Sequence, residues 1–445
     1  MLLRGWYPHA VLLLAGLLML LLSVSLGYTP PPLTRPTGLF TLDLFRYVTE
    51  SFGKTLSGVG LMIMGIGGFV AYMDSIGASR ALVRVAVQPL NWIRPYPYLS
   101  SSLLIPLGQL LFVCIPSAAG MGLLLMASVY PLIVRLGVSR LSAVSVIVAC
   151  TSFGVGPASA ITARAAAIVN VPSVEFFFAG QLPLVWPTSL LMATAYFFVN
   201  RHFDRRDEAK EEVPIEDLAD SEATEAPAYY ALFPVLPLIA LVSFSEVLGL
   251  SPIAVKLDTT TAMFMSMAVS ALVHLLRTRD LEASLHSLQI FFGGMASIFK
   301  SVVTLIIAAD MFSKGLIALG FIRALLALAD GAGLGATGVG VAMTVLIFMA
   351  SVLMGSGNAS FFAFGPLVPR IAAGLGADPL RMILPMQLSA SMGRSVSPIA
   401  GVVIATAEIA RVEPLALARR NALPLAVSLA FLLMLHYSGA WSMAD

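Results

Sequence analysis

Four short runs of small and polar residues interrupt otherwise apolar stretches of this 445-residue chain. They are Pro116-Ser117-Ala118-Ala119-Gly120, Thr151-Ser152-Phe153-Gly154-Val155-Gly156-Pro157-Ala158-Ser159, Gly355-Ser356-Gly357-Asn358-Ala359, and Ser389-Ala390-Ser391-Met392-Gly393-Arg394-Ser395-Val396-Ser397-Pro398. Glycine and proline stop regular helical hydrogen bonding, and the hydroxyls and amide beside them can coordinate an ion or a carboxylate. A broken helix also frees backbone N–H groups and offers half-helix N-termini, which favour an anion. Ser117, Gly120, Thr151, Ser152, Ser356, Gly357, Asn358, Ser391, Arg394 and Ser397 are therefore the candidate binding residues. Small residues in membrane helices can serve close packing alone; four clusters at equivalent places of an internal repeat favour a site.

Arg394 is the most informative of these, because a charge inside an apolar segment is costly unless paired, and a guanidinium grips a carboxylate through two parallel hydrogen bonds. It either contacts substrate or has a structural partner such as Glu408 or Asp310. Arg164, just after the first broken segment, is a weaker candidate. Asp310 and Lys314 stand four apart, which is ion-pair spacing on a helix and leaves a proton relay as the alternative role for Asp310. Gly333-Leu334-Gly335-Ala336-Thr337-Gly338 fits G-x-G-x-x-G but follows no strand, so it is no nucleotide site. The five histidines are dispersed, and the two cysteines, Cys114 and Cys150, read as buried free thiols. No metal site, cofactor or catalytic constellation is expected, so the chain reads as a non-enzyme.

Composition names the elements that must position these groups. With 58% hydrophobic and 11% charged residues, and a mean hydropathy of +0.91, no water-soluble surface can be covered. Several uncharged stretches of about 18 residues or more are long enough to cross a bilayer as helices. A net charge of +2 with basic residues at the ends of apolar runs excludes nucleic acid and implies a lipid bilayer. Arg4 followed by an apolar run reads either as a signal peptide or as a retained first helix; the repeat supports the helix.

The halves resemble each other at a displacement of about 240 positions. Ile76-Gly77-Ala78-Ser79-Arg80-Ala81-Leu82 matches Leu319-Gly320-Phe321-Ile322-Arg323-Ala324-Leu325, Leu136-Gly137 matches Leu375-Gly376, and Leu182-Pro183-Leu184 matches Leu423-Pro424-Leu425. Uncharged runs of 40 residues after Arg94 and 39 after Asp330 are each broken mid-way and must be hairpins, either re-entrant, which is preferred, or fully spanning. The expected fold is an all-α polytopic membrane protein of two inverted-topology repeats, each with a re-entrant hairpin and a broken transmembrane helix. In the first repeat, 1–199, helices are expected near 9–27 and 57–75, a hairpin at 97–134, a broken helix at 141–170 and a helix at 175–199. A charged cytoplasmic linker, 200–228, and a joining helix, 229–250, follow. The second repeat, 251–445, has helices at 258–277 and 298–317, a hairpin at 336–369, a broken helix at 380–410 and a helix at 415–436. Positive residues concentrate on the side of the linker, which puts the N-terminus in the cytoplasm and the C-terminus in the periplasm.

At the same residues the chain resembles the DcuC family of anaerobic C4-dicarboxylate transporters, within the ion-transporter superfamily of two-hairpin carriers. The likeness is carried by Gly355-Ser356-Gly357-Asn358-Ala359 with Phe362-Ala363-Phe364, by Gly393-Arg394 with Ser397-Pro398 and Gly401-Val402-Val403, and by Gly120-Met121-Gly122. It implies a secondary transporter in the bacterial inner membrane that moves succinate, fumarate or malate by alternating access, in uptake, exchange or efflux. The coupling ion would be H+ or Na+, and a homodimer is an expectation of the family. Another small organic anion, or a cation/proton antiport on the same fold, is the alternative.

Overall fold

In a computed structural model the described residues are 7–89, 95–207, 226–244 and 257–438. Most of the expected linker, the end of the joining helix, the C-terminal tail, Arg4 and Arg94 lie outside them. Among the described residues all regular structure is helical, and nine helices are long and apolar enough to cross a membrane.

The first half opens with α1 (Pro8–Ser25) and a long helix α2 (Phe40–Ser75). It continues with the amphipathic α3 (Ala78–Val87) and a hairpin of α4 (Pro97–Cys114) and α5 (Ala118–Ser128). The interrupted pair α6 (Arg140–Ala149) and α7 (Ala160–Val169) leads to α8 (Leu182–Asp207). After a joining helix α9 (Leu236–Ser243), the second half repeats this order. It comprises α10 (Thr259–Thr278), α11 (Ser284–Ala318), α12 (Phe321–Gly331), a hairpin of α13 (Ala336–Met354) and α14 (Gly357–Phe364), and the short α15 (Val368–Gly374). The interrupted pair α16 (Pro379–Val396) and α17 (Gly401–Ala410) then leads to α18 (Pro414–Tyr437).

The repetition extends to backbone detail. Helices α2 and α11 each contain a π-helical turn, Leu56–Gly60 and Phe299–Val303, the first of them kinked at Gly58. Each then ends at a left-handed glycine, Gly77 (φ 77°) or Gly320 (φ 81°), a conformation that costs glycine nothing and stops the helix before an amphipathic one begins. The interrupted helices end alike, on left-handed Asn170 and Arg411.

Three expectations are corrected. Helix α2 starts at Phe40, and α11 starts well before residue 298. The first added segment is an amphipathic beginning whose charges, Asp43, Arg46, Glu50 and Lys54, conceal it from an apolar-run criterion; the second, residues 284–297, carries no Asp, Glu, Lys or Arg and simply extends the apolar helix. Helix α8 runs through Asp207 with Asn200 and Asp204 buried, so the expected start of the linker, residue 200, is still helix. Helix α16 is unbroken from Pro379 to Val396; Ser389, Ser391 and Arg394 project from regular helix, and only Ser397 stands at the interruption. The cause is Pro398, which drives the residue before it out of the helical region, and Ser397 is extended at φ −85° and ψ 123°.

Packing divides the helices into two groups. In one, α1 crosses α11 closely, with Gly16 against the Met311 backbone and Gly315 against Met19, and α2 crosses α11 where Gly67, Gly68 and Gly294 let the backbones approach. In the other, the hairpins and interrupted helices pack with α8 and α18. The groups meet mainly where the end of α11 lies on α14, with Ser313 Oγ donating to the Ala363 carbonyl at 2.6 Å.

The ends of these helices pair in opposite senses. Asp204, at the end of α8, meets Ser139, at the start of α6, and Arg420, near the start of α18. His436, at the end of α18, meets the carbonyl of Arg381 at the start of α16.

Candidate functional site

The two interrupted helices touch at their interruptions. Arg394 donates from Nη2 to the Thr151 carbonyl, with Thr151 Oγ1 at 3.4 Å. One turn earlier Ser391 lies against Gly154, where a Cβ would collide with the serine hydroxyl. Gly154 also holds φ at 61°, so any side chain there is opposed both sterically and by backbone conformation. A further turn back, Gln387 Nε2 donates to the carbonyls of Phe153 and Gly154 at 3.4 and 3.3 Å.

Both hairpin tips close on this junction. Gly357 rests on the Ala390 carbonyl and the Ser391 nitrogen, and Gly355 on the backbone of Ile399. Pro116, at the other tip, borders one apolar cavity with Pro157 and Ala158 of the first interruption. Beyond the tips each hairpin reaches across to the opposite repeat: Gly122 faces Val402 and Thr406 on α17, while Gly365, just past α14, faces Ile168 on α7.

The polar candidates divide by what they already hold. Ser117 and Ser356 are N-caps of the second hairpin arms, accepting from the nitrogens of Gly120 and Ala359, each at 3.2 Å. This use is the ordinary one for serine at a helix start. Thr151 and Ser152 are buried and turn their hydroxyls back to the Val148 carbonyl at 2.9 and 3.5 Å. Gly120 and Asn358 are half-buried beside their tips. At the contact between α16 and the first interruption, Arg394 Nε and Ser397 Oγ are buried and have no hydrogen-bond partner among the described residues. Buried donors favour an acceptor, and beside a guanidinium an anionic acceptor is strongly favoured.

Neither carboxylate expected as a structural partner for Arg394 holds it. Glu408 is exposed at the outer end of α17. Asp310 is engaged by Lys314 Nζ at 2.9 Å and by Ser51 Oγ at 2.6 Å, which makes it half of an intrahelical ion pair. No group of histidine, cysteine, aspartate and glutamate residues suited to a metal occurs among the described residues.

A buried amide network was missed in the sequence. Gln181 Nε2 donates to Gln387 Oε1 at 2.7 Å and to Thr162 Oγ1 at 2.9 Å, and the Gly156 nitrogen donates to Gln181 Oε1 at 3.2 Å. Ser159 and Thr162 hydroxyls donate to the Gly154 carbonyl at 2.9 and 3.2 Å. These side chains satisfy the backbone that the first interruption frees and tie the repeats together. The available signal was a lone glutamine in each of two apolar segments.

Known proteins resemble this chain in sequence and in fold. Residues 1–437 match the family model DcuC, described as C4-dicarboxylate anaerobic carrier. A probable anaerobic C4-dicarboxylate transporter DcuC from Vibrio cholerae is 34% identical over 431 residues, covering 96% of this chain and 92% of the relative. The anaerobic C4-dicarboxylate transporter DcuC of Escherichia coli K12 is 32% identical over 433 residues, covering 97% and 92%. Among solved structures, the YdaH transporter of Alcanivorax borkumensis superposes with a TM-score of 0.63 at 16% identity, covering 99% of this chain and all of that one. Neisseria gonorrhoeae MtrF, from a class of antimetabolite efflux pumps, superposes at 0.60 with 14% identity, covering 96% and 94%. At those identities the likeness concerns the fold.

Proposed function

This chain belongs to the DcuC family of C4-dicarboxylate anaerobic carriers, and from that premise we propose that it carries C4-dicarboxylates such as succinate, fumarate or malate across the bacterial inner membrane. It is a multi-pass membrane carrier, not an enzyme. The observation that carries the substrate reading is the pair of unsatisfied buried donors, Arg394 Nε and Ser397 Oγ, where the interruptions of both halves and the second hairpin tip meet. A carboxylate placed there accepts from both and replaces the hydration it leaves behind. Thr151, Ser152, Ser391, Gly357 and Asn358 form the surrounding wall, with Ser117 and Gly120 at the other tip.

Transport proceeds by alternating access, in uptake, exchange or efflux, driven by H+, Na+ or a counter-substrate. Two observations support inverted repeats with re-entrant hairpins: the helix ends pair in opposite senses, and the Gly357 tip rests on Ala390, deep within the span Pro379–Ala410. With the charged linker cytoplasmic, the N-terminus is cytoplasmic and the C-terminus periplasmic.

The test is uptake of labelled succinate by proteoliposomes holding the purified chain. Arg394→Ala should reduce uptake by at least about thirtyfold, the order expected for a charge-assisted hydrogen-bonded contact. Undiminished uptake would remove Arg394 from the site. Cation flux that ignores organic anions would replace the reading by antiport.

A further inference from the structure

We propose that Arg164 holds the second carboxylate of the transported dicarboxylate, opposite Arg394, and thereby selects dianions over monoanions; this rests on the carrier reading above. A four-carbon dicarboxylate brings two negative charges into a low-dielectric site, and Arg394 supplies only one positive charge to meet them. A second cation on the protein would meet the other.

Arg164 is placed to be that cation. It lies on α7, one turn after Ile161, whose side chain packs on Gly154; Gly154 in turn packs on Ser391, which is one turn before Arg394 on α16. Both arginines therefore stand within about 5 Å, along their own helix axes, of one shared junction. Each extends a long side chain from there, and each carries a buried Nε with no hydrogen-bond partner.

Charge balance leads to the same residue. Arg164 feels the field of Asp310, but that carboxylate is already held by Lys314 at 2.9 Å and Ser51 at 2.6 Å. Two cations thus share one carboxylate at membrane depth, leaving one positive charge in excess. Such an excess is expensive in this environment unless an anion compensates it. Lys314 is committed to Asp310 and to Ser51 Oγ, at 2.6 Å, so the excess resides on Arg164. When substrate enters, its second carboxylate takes up the unsatisfied Nε and gives Arg164 a direct forked contact of its own.

The experiment compares succinate with succinamate, in which one carboxylate is a neutral amide, as competitors of labelled succinate uptake in proteoliposomes. Wild type should prefer succinate. Arg164→Gln should weaken succinate by about tenfold or more while changing succinamate less than about twofold, so that the preference collapses. A purely structural arginine would weaken both competitors alike, and that result, or an unchanged preference, overturns the proposal. If Arg164→Gln does not fold, Arg164→Lys provides the readout: it keeps the charge without the fork, and the preference should fall by a smaller factor; an unchanged preference in a folded Arg164→Lys carrier overturns the proposal equally. A wild-type chain that neither takes up nor binds succinate would defeat the carrier reading itself, whereas active wild type with undisturbed selectivity in the variants defeats only the role of Arg164.

Discussion

Charge density along the chain misleads about Asp204. It sits among the basic and acidic residues around 200–212, a stretch whose composition speaks for solvent, yet it is buried and accepts from Ser139 Oγ at 2.8 Å, Ser142 Oγ at 2.7 Å and Arg420 Nη1 at 3.0 Å. This cluster fastens α8 and α6 of one half to α18 of the other. Removing one partner of a buried ion pair strands the other charge, so Asp204→Ala or Arg420→Ala should each lower stability by about 3–5 kcal/mol, read as a lower melting temperature of the purified carrier. Arg420→Ala also loses the stacking on Phe203, 4.9 Å away. Gln387 poses a smaller case: Gln387→Leu leaves the Gln181 amide and the Gly154 region short of partners and should cost about 1–3 kcal/mol in the same assay. If either substitution is thermally silent, the corresponding network does not hold the junction.

Helix starts, stops and interruptions follow local chemistry, and most were readable. Proline stands in the first turn of α1, α4, α16 and α18, where a missing N–H costs nothing. The caps Ser117 and Ser356 begin the second hairpin arms, 239 positions apart in the two halves. Replacing either by Ala should destabilise its arm by about 1 kcal/mol; a fall in transport beyond what that loss explains would indicate direct contact with substrate. The Gly357 tip has no such tolerance, because a Cβ there meets the Ala390 carbonyl. Gly357→Ala should therefore abolish most uptake while the helices themselves persist by circular dichroism. What escaped local reading was the first part of α2, where charges alternate with apolar residues; its buried face, Tyr47 and Ser51, is visible as a face only once α11 lies against it.

On the alternating-access proposal, the group bearing the candidate site moves against the group built on α1, α2 and α11. The main seam, α11 on α14, is narrow, and close glycine contacts concentrate within each group rather than across that seam. Such an arrangement suits rigid-body motion of one group past the other. In a chain freed of Cys114 and Cys150, cysteines introduced at Arg135 and Asp378 should react with a membrane-impermeant maleimide from opposite faces. Cysteines at Ala119 and Asn358 should react slowly from both. Labelling of Arg135 and Asp378 positions from the same face would contradict the inverted arrangement, and fast labelling of a tip from the far face would make its hairpin fully spanning.

Composition and apolar run length were enough to establish a helical membrane protein and to place most of its helices, because helix formation in a bilayer depends on neighbours in sequence. They could not show that α16 stays regular through Arg394, that Asp204 is buried, or that two glutamines join the Ser159 and Thr162 hydroxyls in satisfying the first interruption. Those outcomes depend on which distant backbone lies alongside: Thr151 and Arg394, 243 positions apart, meet only because the halves interlock. An unsatisfied nitrogen is likewise a property of an environment, so only the assembled packing reveals which arginine nitrogens still lack an acceptor.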